Sequence, residues 1–231
     1  MKRIGILGGS SDQATADYYR RLNRAVNDRL GGFHTAELLV SSMDFALAER
    51  WVRTQDWDGA ATYLTDRARA LEAAGAELLL CVSNTLHRVE PRFTAGLGIP
   101  FLHIVDPTAV AIRKAGLTRV GLLGTKPVMA TDYLKDRYRE RHGVAIEVPR
   151  PDDQTELDRI IFDELCRGEF RPQAKARYLA VVDELAARGV EGVILGCTEI
   201  PLLIGQADRP GVRMFDTVEL HVAAAVEAAL A

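Results

Sequence analysis

An α/β fold built as two pseudo-symmetric halves, each a parallel sheet with helices, is predicted by three features of the chain. Apolar runs of strand length alternate with amphipathic stretches from end to end. The pattern then restarts. KRIGILGG (2–9) matches TRVGLLGT (118–125), with Arg3 on Arg119, Gly5 on Gly121 and Gly8 on Gly124. AGAELLLCVSNT matches RGVEGVILGCTE, with Gly75 on Gly189, Glu77 on Glu191, Ser83 on Cys197 and Thr85 on Glu199. A third pair, FLHIVDPTAVAI and VRMFDTVELHVAAAV, places Asp106 on Asp216. Three ordered matches are poorly explained by chance.

Each element follows from its own pattern. KRIGILGG reads as a strand that ends in glycines. Residues 14–30 read as a helix with Tyr18, Leu22, Ala25 and Leu30 on one face. AELLVSSM (36–43) reads as a strand and 57–74 as an amphipathic helix. ELLLCV (77–82) is expected to be a buried strand and PFLHIV (100–105) another. PTAVAIRKAG (107–116) has Pro at its start and Gly after it, the signature of a helix. Strands separated by helices of this length imply parallel pairing through right-handed crossovers. The expected domains are 1–105 plus 213–231 for the first half and 106–212 for the second, the last helix (about 217–230) packing on the first half.

Composition narrows the function. Hydrophobic content of 48% with 26% charged residues is that of a globular chain, which argues against disorder. A net charge of −3 from 29 basic and 32 acidic residues argues against nucleic-acid or membrane-surface partners. No run approaches the roughly 18 apolar residues that span a bilayer. MKRIGILGG enters a strand pattern without a signal-peptide core, so a cytoplasmic protein is expected. Cys81, Cys166 and Cys197 lack CxxC spacing, which disfavours a disulfide framework or a structural zinc.

Ligands of open parallel sheets bind beyond the carboxyl ends of the strands. Gly8-Gly9, Ser83-Asn84-Thr85, Gly124-Thr125 and Cys197-Thr198-Glu199 all fall there. Two facing halves would set Ser83 and Cys197 on opposite walls of one cleft. GGSS at 8–11 lacks the nucleotide fingerprints, but its backbone N–H groups suit a small carboxylate at a helix N-terminus. Cys197, past a strand end where a helix is expected to begin, should have a lowered thiol pKa. Cys81 is expected to be inert within its apolar run and Cys166 structural. Ser83, Asn84 and Thr85 can cap a helix, hold carboxylate oxygens, or both. The histidines show no metal-ligand spacing, and His87 and His103 alone lie near strand ends. Asp106 and Asp216 either orient cleft residues or cap the helices that follow.

IGILGGSS, NTLH, VGLLGT and GCTEI together resemble the aspartate/glutamate racemase superfamily over essentially the whole chain. IIFDELCRGEF points to its bacterial aspartate/glutamate racemase subgroup. The resemblance implies an isomerase that needs no pyridoxal phosphate, no other cofactor and no metal. It implies a small acidic amino acid as substrate and a homodimer as the assembly. Two acid/base residues would flank Cα, and by position these are Ser83 and Cys197. Asn84, Thr85, Thr125 and Thr198 match positions that hold the substrate carboxylates, and Glu164 matches an acidic residue of the subgroup. GGSSDQATADYY replaces the subgroup's GGMSWEST, so Ser10 and Asp12 are expected to reshape the end of the pocket that selects the side chain, with Gly9 and Ser10 among the substrate-binding residues.

The Ser83/Cys197 pair is chemically unequal. A thiol ionises near pH 8.5, whereas a serine hydroxyl has no comparable ionised population. Serine donates a proton to a carbanion more readily than it abstracts one, so a kinetic preference for one enantiomer is expected, L by likeness. The same asymmetry suits two rivals. An arylmalonate-type decarboxylase needs Cys197 alone as proton donor, and a degenerate dicarboxylate-binding protein needs neither residue. Maleate isomerases, also relatives, would carry cysteine at both positions.

Overall fold

Residues 1–231 are described by a computed structural model, which divides into Met1–His103 with His221–Ala231, and Ile104–Leu220. The first unit holds β1 (Ile4–Gly8), α1 (Asp12–Leu30), β2 (Leu38–Ser42), α2 (Phe45–Thr54), α3 (Trp57–Ala73), β3 (Leu78–Cys81) and the short α4 (Glu90–Phe93). Its three strands pair in parallel in the order β2-β1-β3. Every residue of β1 and β3 is buried, which is why both read as unbroken apolar runs rather than alternating ones. Ser11 caps α1, accepting a hydrogen bond from the Ala14 N–H at 3.0 Å. The buried face of α1 runs through Tyr18, Leu22 and Val26, a spacing of four. Leu30, expected on that face, is exposed beyond the point where the stripe has turned away.

The apolar stretch 100–105 does not form a strand. Leu79 pairs with its start, donating to the Pro100 carbonyl (2.9 Å) and accepting from the Leu102 N–H (3.0 Å), a single bridge. The chain then turns into a helix, α5 (Val105–Lys114), two residues before Pro107. Pro107 falls in the first turn, where the N–H groups have no intrahelical acceptor, so it costs nothing there.

The second unit continues from α5 with β4 (Arg119–Leu123), α6 (Lys126–Ala130), α7 (Tyr133–His142), β5 (Ala145–Glu147), α8 (Pro151–Asp163) and α9 (Pro172–Ala187). It closes with β6 (Gly192–Leu195), α10 (Ile200–Leu203) and β7 (Arg213–Asp216). The sheet order is β5-β4-β6-β7, all parallel. Val120, Leu122, Ile194, Tyr138 and Phe215 share its core. Arg213–Leu220, grouped with the first half on sequence, belong to the second unit because β7 hydrogen-bonds along β6. The last helix, α11 (Thr217–Leu230), starts in the second unit, where the Thr217 hydroxyl donates to the Leu195 carbonyl at 2.8 Å. From His221 onward it belongs to the first unit.

Candidate active site

In the first unit the candidate residues gather where β1 and β3 end. Gly9 has φ +83°, and a Cβ there would lie 2.2 Å from the Met43 carbonyl oxygen, so only glycine fits the turn. Its N–H donates to Thr15 Oγ1 at 2.8 Å, and the Thr15 hydroxyl donates on to the Ser11 carbonyl at 2.8 Å. The Ser10 hydroxyl donates to the Val82 carbonyl, tying the β1 loop to the end of β3. The loop groups expected to receive an anion are therefore partly committed: the Gly9 N–H and the Ser10 hydroxyl both have internal acceptors.

Ser83, Asn84 and Thr85 follow β3 and are all buried. Ser83 Oγ accepts a hydrogen bond from the Leu86 N–H (3.2 Å) as a short 3₁₀ helix begins. The Ser83 carbonyl can only accept, so His87 Nδ1, 2.6 Å away, carries the proton. The His87 ring meets His103 edge-on, with centroids 4.4 Å apart. His221 donates from Nε2 to the Leu102 carbonyl (2.9 Å), so its Nδ1 accepts from the Tyr18 hydroxyl (2.9 Å). His87 thus anchors the Ser83 turn by a hydrogen bond, and the rings of His103 and His221 pack against the His87 ring.

In the second unit, Thr125 and Cys197-Thr198 lie just beyond β4 and β6, which are neighbours in the sheet. The Gly196 N–H donates to the Leu123 carbonyl at 2.7 Å, holding the two strand ends together. Thr125 is buried, and the Lys126 N–H beside it donates to Asp158 Oδ1 at 2.7 Å, so α8 braces this turn. Cys197 Sγ donates to Glu199 Oε2 at 2.9 Å, and the Thr198 hydroxyl donates to the same oxygen at 2.9 Å.

Burial pushes the Cys197 thiol well above its ordinary pKa, and the neighbouring Glu199 and Cys166 push it further. This overturns the expected lowering. The helix after Cys197 is a single turn starting at Ile200, too short and too late to offset burial beside a carboxylate. Glu199 received no role on sequence. Its signal was its place two residues past the cysteine, in GCTE. Cys81, inside β3, is also raised by burial, to about 12, consistent with an inert thiol.

Glu164 lies at the end of α8, buried, with Arg159 donating to Oε1 at 3.2 Å and Arg171 Nε 3.9 Å from Oε2. It lines a cavity of about 360 Å³ with Glu156, Arg159, Arg171 and Arg177. Asp106 takes a two-pronged ion pair from Arg137 (2.8 and 2.6 Å) and a bond from His142 (3.0 Å). Burial raises Asp106, but these partners outweigh it and hold its pKa below the ordinary value. Asp216 caps α11, accepting from the N–H groups of Val218 (2.8 Å) and Glu219 (3.1 Å). No group of three His, Cys, Asp or Glu side chains is set to hold a metal ion, and no helix is long and apolar enough to cross a membrane.

Residues 4–225 match the family described as Asp/Glu/Hydantoin racemase. The chain belongs to this family. Among solved structures, this family member is similar to a candidate Asp/Glu racemase from Yersinia pestis. The two are 40% identical over 100% of both chains, with a TM-score of 0.90. An aspartate racemase homologue from Pyrococcus horikoshii is 35% identical, again over 100% of both chains, with a TM-score of 0.84. A glutamate racemase from a Roseiflexus species is 31% identical over 156 residues. That match takes in 61% of this chain and 54% of the relative, so the chain spans about half the length of that glutamate racemase.

Proposed function

We propose that this racemase-family chain interconverts the enantiomers of aspartate, glutamate or both without a cofactor, using Cys197 and Ser83 on opposite faces of Cα. The observation that carries the reading is the Cys197–Glu199 hydrogen bond of 2.9 Å at the end of β6. A buried thiol is a poor base while protonated, and Glu199 is the acceptor to which its proton can pass. The thiolate then removes the Cα hydrogen, forming S–H, and the electron pair of the broken C–H bond remains on the substrate. Donors to the substrate carboxylates must hold that charge: Asn84, Thr85 and Thr125, all buried, supply amide and hydroxyl hydrogens, and Thr198 joins them when its hydroxyl turns from Glu199 Oε2 to the substrate. Gly9 and Ser10 shape the loop that meets the side chain. Ser83 delivers a proton to the other face. Its hydroxyl oxygen accepts from the Leu86 N–H, which leaves its own hydrogen for donation.

The full-length likeness to an aspartate racemase homologue supports the substrate class. A homodimer in the cytoplasm and faster turnover of the L enantiomer complete the proposal. Each of L- and D-aspartate and L- and D-glutamate is incubated with the chain and resolved by chiral chromatography. Inversion of at least one, abolished by Cys197→Ala, is the expected result. No inversion of any of the four would end the racemase reading. Release of CO₂ from an arylmalonate would then favour the decarboxylase, which needs Cys197 alone as proton donor.

A further inference from the structure

The two proposed proton-transfer groups differ in how many hydrogens their surroundings can hold. Glu199 Oε2 accepts from both Cys197 Sγ and Thr198 Oγ1. Once Glu199 has taken the thiol proton and the thiolate has taken the Cα hydrogen, the Cys197–Glu199 pair holds two hydrogens. One came from the substrate and one from solvent. The two can exchange places across the 2.9 Å contact, and either can return to Cα from the same face. Return breaks S–H, forms C–H with the electron pair left on the substrate, and restores the thiol and carboxylate. Nothing is oxidised or reduced. Ser83 has no such partner. The hydroxyl oxygen's one hydrogen bond is from the Leu86 N–H, and no carboxylate, thiol or imidazole bonds it. Giving up its proton would leave an alkoxide facing a single amide, a far costlier state than a thiolate beside a carboxyl group.

We infer that the chain replaces the Cα hydrogen of one enantiomer with solvent hydrogen, with retention of configuration, faster than it inverts that enantiomer. The inference rests on the racemase reading and concerns the asymmetry of its two faces. Return from the Cys197 side regenerates the starting enantiomer with a new hydrogen, and only the rarer delivery from Ser83 inverts it.

L- and D-aspartate, then L- and D-glutamate, are placed in separate tubes of D₂O with the full chain. Loss of the Cα proton is followed by NMR, and handedness by chiral chromatography of the same samples. For one enantiomer the initial exchange rate is expected to exceed inversion by at least about tenfold, with deuterium in the retained enantiomer. Ser83→Cys should bring the two rates to within about threefold, since a thiol loses its proton far more readily than a hydroxyl. Glu199→Gln keeps the side chain's size but removes the second proton site, so the exchange-to-inversion ratio should fall at least about threefold. Equal exchange and inversion for both enantiomers would overturn the inference and leave the racemase reading standing, as would an unchanged ratio in Glu199→Gln. Neither exchange nor inversion with aspartate or glutamate would overturn both.

Discussion

At the scale of single residues, the site turns on one carboxylate. Glu199 raises the Cys197 pKa through its charge and its hydrogen bond, on top of the larger effect of burial. Removing the charge while keeping the shape, as in Glu199→Gln, lowers the thiol pKa and enlarges the thiolate fraction at a given pH. Alkylation of Cys197 by iodoacetamide at pH 8, located by mass spectrometry, should therefore run faster in Glu199→Gln than in the parent chain. Equal or slower labelling would mean that Glu199 does not hold the proton on the sulfur. In the parent chain the rate should climb with pH through the alkaline range and show no plateau near neutrality. The cysteine could be singled out from the repeat and from GCTE. Its protonation could not, because whether a helix end or a carboxylate governs the thiol depends on which group lies 2.9 Å from it.

At the scale of elements, the turns after the central strands carry the constraint. Gly9 and Gly31 both have positive φ, +83° and +73°. Around Gly31 a Cβ would meet nothing within 4 Å, so Gly31→Ala costs only the strained backbone at φ +73°, ψ −171°, about 1–3 kcal/mol. At Gly9 the same Cβ would also collide with the Met43 backbone, so Gly9→Ala should cost at least about 2 kcal/mol more than Gly31→Ala. Urea unfolding midpoints at matched slopes would check the difference, and equal losses would refute it. The Asp56 cap of α3 offers a milder case. Its carboxylate accepts from the Gly59 N–H at 2.9 Å, and Asp56→Ala should lose about 1 kcal/mol in the same assay. Strands and long helices were legible wherever burial imposes a period: β1, β3, β4 and α3 lie within the runs that announced them, and α1 starts two residues before its own. The stretch 100–105 misled because an apolar run of strand length also serves as the entry to a buried helix.

At the scale of the whole molecule, ionisable groups sealed in both units set the response to alkali. Burial raises Cys81, to about 12, in the first unit, and raises Tyr138, Tyr178 and Cys197 in the second. Each releases its proton more readily when unfolded. The folded state therefore binds more protons, and stability is full below the unfolded pKa and is lost as pH rises toward the folded one. For Cys81 the window opens near pH 9 and closes near 12, with a slope of about 1.4 kcal/mol per pH unit inside it. Unfolding free energies from urea at pH 8 and pH 10.5 should show a steep loss in the parent chain. Cys81→Ala, less stable at pH 8 through lost packing, should lose less between the two values. Parallel losses would show that Cys81 does not contribute.

What the sequence determined by itself is what repetition and periodicity can encode. These are two parallel α/β units, glycine-marked strand ends, a serine and a cysteine at matching positions, and membership of a racemase family. Such features are written in the order of residues along the chain, because burial on a strand or a helix face imposes its period directly. Tertiary structure decided what depends on neighbours distant in sequence or on atomic reach. It assigned Arg213–Leu220 to the second unit through strand pairing, gave the Gly9 N–H to Thr15, and bound the Cys197 thiol to Glu199. Desolvation and hydrogen bonding act through space, so spacing can name the residues of a site while only their packing sets which of them holds a proton.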